Sequence, residues 1–100
     1  MTAVDDRGSA YSRSAHKLLD RMRQSRSGWG EAEVRKLYDR FGFVGRDVGD
    51  HVCYYHPFHR DLHGQVPRHR SLRDYVVDDA VDAIDELLRR EGEESNGQGP

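Results

Sequence analysis

A chain of 100 residues, with a net charge of −2, a mean hydropathy of −0.95 and 34% charged residues, can form one small domain with a thin core. A membrane-spanning helix is excluded, because no stretch approaches the roughly 18 to 20 consecutive apolar residues that a span needs. Cys53 is the single cysteine, so an internal disulfide is excluded, and a reducing, cytoplasmic environment is expected.

Two amphipathic helices are expected in the first half of the chain. Apolar residues recur at helical spacing over residues 11–24 and again over residues 31–41, and the sequence SRSGWG separates the two stretches. Gly42 is expected to end the second helix in a left-handed conformation. Residues 1–9 are expected to form a disordered head.

After residue 42 the pattern changes from helical to extended. Residues 43–46 (FVGR) are a candidate strand, residues 47–50 (DVGD) a turn, and residues 51–56 (HVCYYH) a second strand that the following proline ends. Residues 58–64 are expected to be a loop that leads into a very short third strand at 64–67. A last amphipathic helix is expected at about 74–90, and a disordered tail at 92–100.

The predicted element order is therefore α-α-β-β-β-α. The economical packing of these elements is an α+β fold, in which a three-stranded antiparallel sheet carries the helices on one face. The sequence contains no repeat and no sign of a second domain, so one domain is expected over residues 10–91.

Charge is divided unevenly along this domain. Residues 35–73 carry eight basic and four acidic side chains, whereas residues 74–95 carry nine acidic and two basic ones. Five of the six histidines also fall within the basic segment. Such a segment can face phosphate groups while an acidic helix faces elsewhere, although a solvated surface of mixed charge fits the same numbers.

Four short motifs follow one another between residues 42 and 69: GF (42–43), GDHV (49–52), YYHP (54–57) and VPRH (66–69). In this order they resemble the core of HicA-type toxins of bacterial type II toxin–antitoxin systems, and the resemblance covers about residues 31–90. Residues 10–26 then resemble a helical extension that precedes a family core at 29–91. This chain departs from the family pattern at Asp50, where serine is usual, and at Val52, where a second histidine is usual.

The resemblance implies a fold like that of double-stranded-RNA-binding domains and an activity that cleaves mRNA without a metal or another cofactor. It implies that His51 is the catalytic residue. It also implies two partners, an mRNA substrate and a HicB-type antitoxin protein.

The chemistry of metal-free RNA cleavage agrees with a histidine at this position. One group must take a proton from the 2′-hydroxyl and one must protonate the leaving 5′-oxygen, and an imidazole can do either near neutral pH. Cations must also stabilise the charge that develops on the phosphate. The side chains expected to bind RNA are those of Arg46, Arg68, Arg70 and Arg73. The competing interpretation of His51 is a hairpin residue that hydrogen-bonds a turn.

Two further residues have two interpretations each. Asp50 either orients His51 through its opposite charge or only serves the turn, and His69 either assists His51 or is structural. The spacing of His56, His59 and His63 suggests a zinc site, but a loop gives them no defined scaffold, so no metal is expected. An alternative function is a non-catalytic RNA-binding or protein-interaction module of the same fold.

Overall fold

The computed structural model describes residues 11–68 and 72–98, with side chains described as far as residue 92. The elements are α1 (Arg13–Gln24), α2 (Glu31–Arg40), β1 (Val44–Val48), β2 (His51–His56), β3 (His59–Pro67) and α3 (Asp74–Gln98). The strands form one antiparallel sheet in the order β1-β2-β3, and the helices pack on one face of it. The predicted α+β class and element order are confirmed. The predicted disordered head, His69 and Arg70 lie outside the described residues.

The helices and the inner face of the sheet enclose one hydrophobic core. Burial alternates along β2, where Val52, Tyr54 and His56 are buried and the residues between them are partly exposed. Leu19 and Met22 of α1 are fully buried in the same core, so the N-terminal helix is an integral part of this domain. None of the described helices is both long enough and apolar enough to cross a lipid bilayer.

The junction between α2 and β1 confirms the prediction for Gly42. Its φ angle is +83°, its N–H donates to the carbonyl of Asp39, and the N–H of Phe43 donates to the carbonyl of Tyr38. This pair of hydrogen bonds is the Schellman arrangement, which satisfies the last carbonyls of a helix. It turns the chain directly from α2 into the sheet.

The turn between β1 and β2 is shorter than the sequence predicted. Residues 47 and 48 pair with residues 52 and 51, so β1 reaches Val48 and only Gly49 and Asp50 form the loop. Gly49 has a φ angle of +59°, and no described residue other than glycine has a positive φ. A two-residue loop with glycine first matches the twist of the flanking strands, so pairing continues up to the turn.

The prediction of a loop at residues 58–64 is wrong, because β3 begins at His59. His56 pairs with His59, Tyr55 pairs with His63, and a bulge between these pairs accommodates the extra residues of β3. The bulge still turns Leu62 into the core. This irregular stretch lacks the simple alternation by which a strand is recognised in sequence.

α3 continues through residues 92–98, within the segment for which the sequence predicted a disordered tail. Just before that segment, side-chain hydrogen bonds connect α3 to Tyr11 and to β3. The hydroxyl of Tyr11 donates to Glu91 over 2.9 Å, and Arg90 hydrogen-bonds both Asp61 and Glu86. Once a helix is formed, each added residue gains a hydrogen bond without a new nucleation cost, so the helix extends beyond its last packed turn.

Candidate active site at the β1–β2 turn

The His51 imidazole stands at the first position of β2, beside the turn. Its Nδ1 lies 2.8 Å from Oδ1 of Asp50, and about 38% of its side-chain surface is exposed. An ionised carboxylate only accepts hydrogen bonds, so Nδ1–H is the donor and Nε2 of the neutral ring keeps its lone pair. Asp50 thus contacts His51 in addition to forming the turn. The ring presents a proton-accepting atom that this contact does not use.

Arg46 lies on the same face of the sheet as His51. It pairs with Cys53 in the register of β1 and β2, which makes it a diagonal neighbour of His51 at a Cα distance of about 7–8 Å. Its side chain is exposed and, among the described residues, it has neither an ion-pair partner nor a hydrogen-bond partner. Arg46 is therefore a cation available to a phosphate placed at His51.

Arg68 lies at the same end of the sheet but is already engaged. Its N–H donates to the carbonyl of Asp50 over 3.0 Å, because His51 pairs with the residue that precedes it. Its guanidinium bonds the Asp47 carboxylate and lies 3.7 Å from that of Glu31. Arg68 holds the turn in place, and its charge is largely balanced by these two carboxylates.

The remaining expected RNA-binding residues are not brought to His51 by any described contact. Arg73 is exposed immediately before α3, where its carbonyl accepts a hydrogen bond from Val76 N–H. Arg70 lies outside the described residues, as does His69. The structure therefore brings His51, Asp50 and Arg46 together. It places Arg68 at the same end of the sheet, with its guanidinium on Asp47 and Glu31, and it leaves Arg73 apart.

Two residues of the same face were missed in the sequence. The Arg60 guanidinium lies over the Tyr55 ring, 5.4 Å from its centroid. Alternation along residues 51–55 could have placed Tyr55 on the same face of the sheet as His51, because every second side chain shares a face. Arg60 had no such signal, because its segment was predicted to be a loop.

The three histidines at residues 56, 59 and 63 do not share one site. His56 faces the core, where its Nδ1 accepts a hydrogen bond from Phe58 N–H over 3.2 Å. His63 is exposed opposite Tyr55. Within residues 11–68 and 72–98, no group of three His, Cys, Asp or Glu side chains is arranged to hold a metal ion.

The buried His56 makes stability depend on pH. Burial, and then the charge of His59, lower the pKa of His56, while Glu91 acts weakly in the opposite direction. The unfolded chain therefore binds this proton more readily, with a pKa of about 6.5. The stability that depends on neutral His56 is present above the unfolded-state pKa. It is lost as the pH falls from that value through the lowered pKa of the folded state.

We expect His56→Asn, which keeps an acceptor for Phe58 N–H, to weaken this pH dependence. Urea unfolding at about pH 7.5 and about pH 5 measures it, with His63→Asn as the exposed control. If His56→Asn and the native chain lose the same stability between the two pH values, His56 is not the responsible group.

A comparison of the chain with protein-family models found no match, and comparisons with curated proteins and with solved structures found none either. What can be inferred about function therefore depends on the geometry of the site and on the motifs of the sequence. Both converge on the β1–β2 turn.

Proposed function

We propose that the chain is a metal-independent endoribonuclease that cleaves mRNA in the cytoplasm, as its resemblance to HicA-type toxins implies. The observation that carries the proposal is the partly exposed imidazole of His51, held through Nδ1 by Asp50 and flanked by Arg46. A proton-transfer group, a carboxylate that orients it and an unpaired cation are the parts that phosphodiester cleavage without a metal requires.

In the proposed reaction, Nε2 of His51 takes the proton of a 2′-hydroxyl. The 2′-oxygen attacks the adjacent phosphorus, a 2′,3′-cyclic phosphate forms, and the bond to the 5′-oxygen breaks. Asp50 balances the charge of the imidazolium, which then delivers the proton to the leaving 5′-oxygen. Arg46 stabilises the additional negative charge on the phosphate oxygens.

The direct test is cleavage of RNA in excess chelator. We expect cleavage to persist, to yield 2′,3′-cyclic phosphate and 5′-hydroxyl ends, and to stop when the cleaved nucleotide carries a 2′-deoxyribose. Product ends are read by mass spectrometry. Loss of cleavage in chelator with recovery on adding zinc would contradict the proposal.

We also propose a HicB-type antitoxin as the partner that silences this site. An acidic surface of the partner would associate rapidly with Arg46 and Arg68 by electrostatic steering. Hydrogen exchange of the chain with and without the protein encoded next to it tests this. Protection is expected at residues 46–51 and 66–68, and protection confined to residues 13–24 or 78–90 would exclude inhibition at the site.

The alternative, a non-catalytic RNA-binding or protein-interaction module, is favoured by one observation. Arg68 is paired with Asp47 and Glu31, which lowers the positive potential at the end of the sheet where His51 stands. Induced expression separates the two functions, because growth arrest that requires His51 supports the nuclease, whereas absence of arrest supports the module.

The pairing of Arg68 also predicts a gain of affinity. Asp47→Asn removes the nearer carboxylate and is expected to strengthen RNA binding about threefold to tenfold, because the freed guanidinium can contact phosphate. Fluorescence anisotropy at several salt concentrations measures it. Asp82→Asn makes the same charge change on exposed α3 and is the matched control. Equal affinities of the two variants would show that Arg68 does not reach RNA.

A further inference from the structure

The face of the sheet opposite the helices, here called the outer face, is not covered by any element within residues 11–68 and 72–98. Three cross-strand rows form it: Val48–His51–Pro67, Arg46–Cys53–Gln65 and Val44–Tyr55–His63. Most of its side chains are exposed, Val44 and Val48 by 42% and 47%, and Cys53 and Tyr55 are partly exposed. The proposed catalytic residue stands in the first of these rows.

Several arginines of the helices are paired with carboxylates, as in Arg23–Asp85 and Arg26–Asp78, although Arg21 lies over the Trp29 ring and Arg40 bonds Ser14. Arg46 and Arg60 have no carboxylate partner among the described residues, and none of the nine residues in the three rows is acidic. The neighbouring carboxylates of Asp50 and Asp61 contact His51 and Arg90. The outer face therefore offers positive charge that no described carboxylate neutralises.

The same face carries rings that can stack on bases. Tyr55 lies under the Arg60 guanidinium with its ring 5.4 Å away, and His63 is its direct cross-strand neighbour. At the far end of β2, Phe58 in the β2–β3 turn is 86% exposed. Planar rings combined with arginines are the usual means by which proteins hold unpaired nucleotides.

We propose that the outer face binds single-stranded RNA, which stacks bases on Tyr55 and His63 and places its phosphates on Arg46 and Arg60. This inference rests on the function proposed for His51 and adds the form of the substrate to it. Tyr55 lies four residues along β2 from His51, which is about 13 Å at the rise of a β-strand. The bases stacked on Tyr55 would therefore be a few nucleotides away from the bond that His51 cleaves. A duplex would bind more weakly, because its bases are already stacked on each other.

Binding is measured with a fluorescent 2′-O-methyl RNA of about 10 nucleotides, which has no free 2′-hydroxyl and so cannot be cleaved by the proposed reaction. We expect Tyr55→Leu to weaken binding about 5-fold to 100-fold and Tyr55→Phe, which keeps the ring, to leave it unchanged. Tyr75→Leu, at an exposed tyrosine of α3, is the matched control. Arg60→Gln is expected to reduce the slope of log affinity against log salt by about 0.7.

Cys53 provides a second readout, because the chain's single thiol lies in the middle row of the outer face. Saturating RNA is expected to slow alkylation of Cys53, whereas RNA bound to the helices would leave the rate unchanged. An unchanged alkylation rate, or equal affinities of Tyr55→Leu and Tyr75→Leu, overturns the inference, as does equal affinity for the same strand annealed to its complement.

The outcomes also separate this inference from the proposed nuclease. If RNA cleavage does not depend on His51 while Tyr55 and Cys53 respond as expected, the nuclease assignment fails and the binding face stands. If cleavage depends on His51 but neither Tyr55 nor Cys53 responds, the nuclease stands and the binding face fails. If the protein binds neither the single-stranded RNA nor the duplex, the inference of an RNA-binding outer face is overturned.

Discussion

His51→Ala is expected to lower the rate of RNA cleavage by about a hundredfold to ten-thousandfold, the range for removing a general acid–base group. The free energy of unfolding should change little, because the ring is partly exposed and its side-chain contact is with the exposed carboxylate of Asp50. Cleavage rates at saturating RNA measure the first effect and urea unfolding the second. The same purified His51→Ala protein should show both the loss of cleavage and the unchanged free energy of unfolding.

His59→Ala is the matched control, since it removes a partly exposed imidazole at the opposite end of β2. Its cleavage rate should equal that of the native chain. Asp50→Asn keeps an oxygen for Nδ1–H of His51 but removes the charge, so we expect an intermediate loss of about tenfold together with a changed pH–rate profile. An undiminished rate in His51→Ala would assign the chemistry to another group.

The sequence predicted those parts of the fold that depend on local patterns. The helical spacing of Leu19 and Met22 in α1, and the glycine that ends α2, are signals carried by a few neighbouring residues. β3 depends instead on pairing with β2 across a bulge. A bulge shifts the alternation of side chains, so the segment around Leu62 could not be recognised without its partner strand.

The contacts of the candidate site also fall into those that the sequence could predict and those that it could not. Asp50 and His51 are adjacent in the chain, so their contact was among the interpretations that the sequence allowed. The pairing of Arg68 with Glu31 was not, because α2 and the end of β3 meet only in the folded domain. The placement of Arg60 over Tyr55 likewise requires β3 to be a strand.

Gly64→Ala is expected to destabilise the domain by about 3 kcal/mol, near the upper end of the usual range for overpacking a core. A Cβ at Gly64 would overlap the hydroxyl oxygen of Tyr38 and lie 2.9 Å from Cζ of the same ring. Tyr38 is fully buried, stacks on Tyr54 with ring centroids 4.6 Å apart and meets Phe43 edge-on, so its ring cannot move aside.

The Tyr38 hydroxyl also has no hydrogen-bond partner among the described residues. Burial, and then the charge of Asp79, raise its pKa, so it stays protonated and unsatisfied. An unsatisfied buried polar group costs about 1–3 kcal/mol. Tyr38→Phe alone is therefore expected to leave the stability unchanged or to increase it, and it removes the atom that a Cβ at Gly64 would meet first.

The double variant Tyr38→Phe/Gly64→Ala should thus be more stable than the sum of the two single changes predicts, although the contact with Cζ keeps the rescue partial. Gly45→Ala is the matched control, because its Cβ would meet the Tyr54 ring, which Tyr38→Phe leaves in place. Urea unfolding of all the variants measures the coupling. Strict additivity at Gly64 would mean that β3 shifts to admit the methyl group. Such a shift would move His63 and Gln65, the neighbours of Gly64 on the outer face, and would weaken RNA binding together with stability.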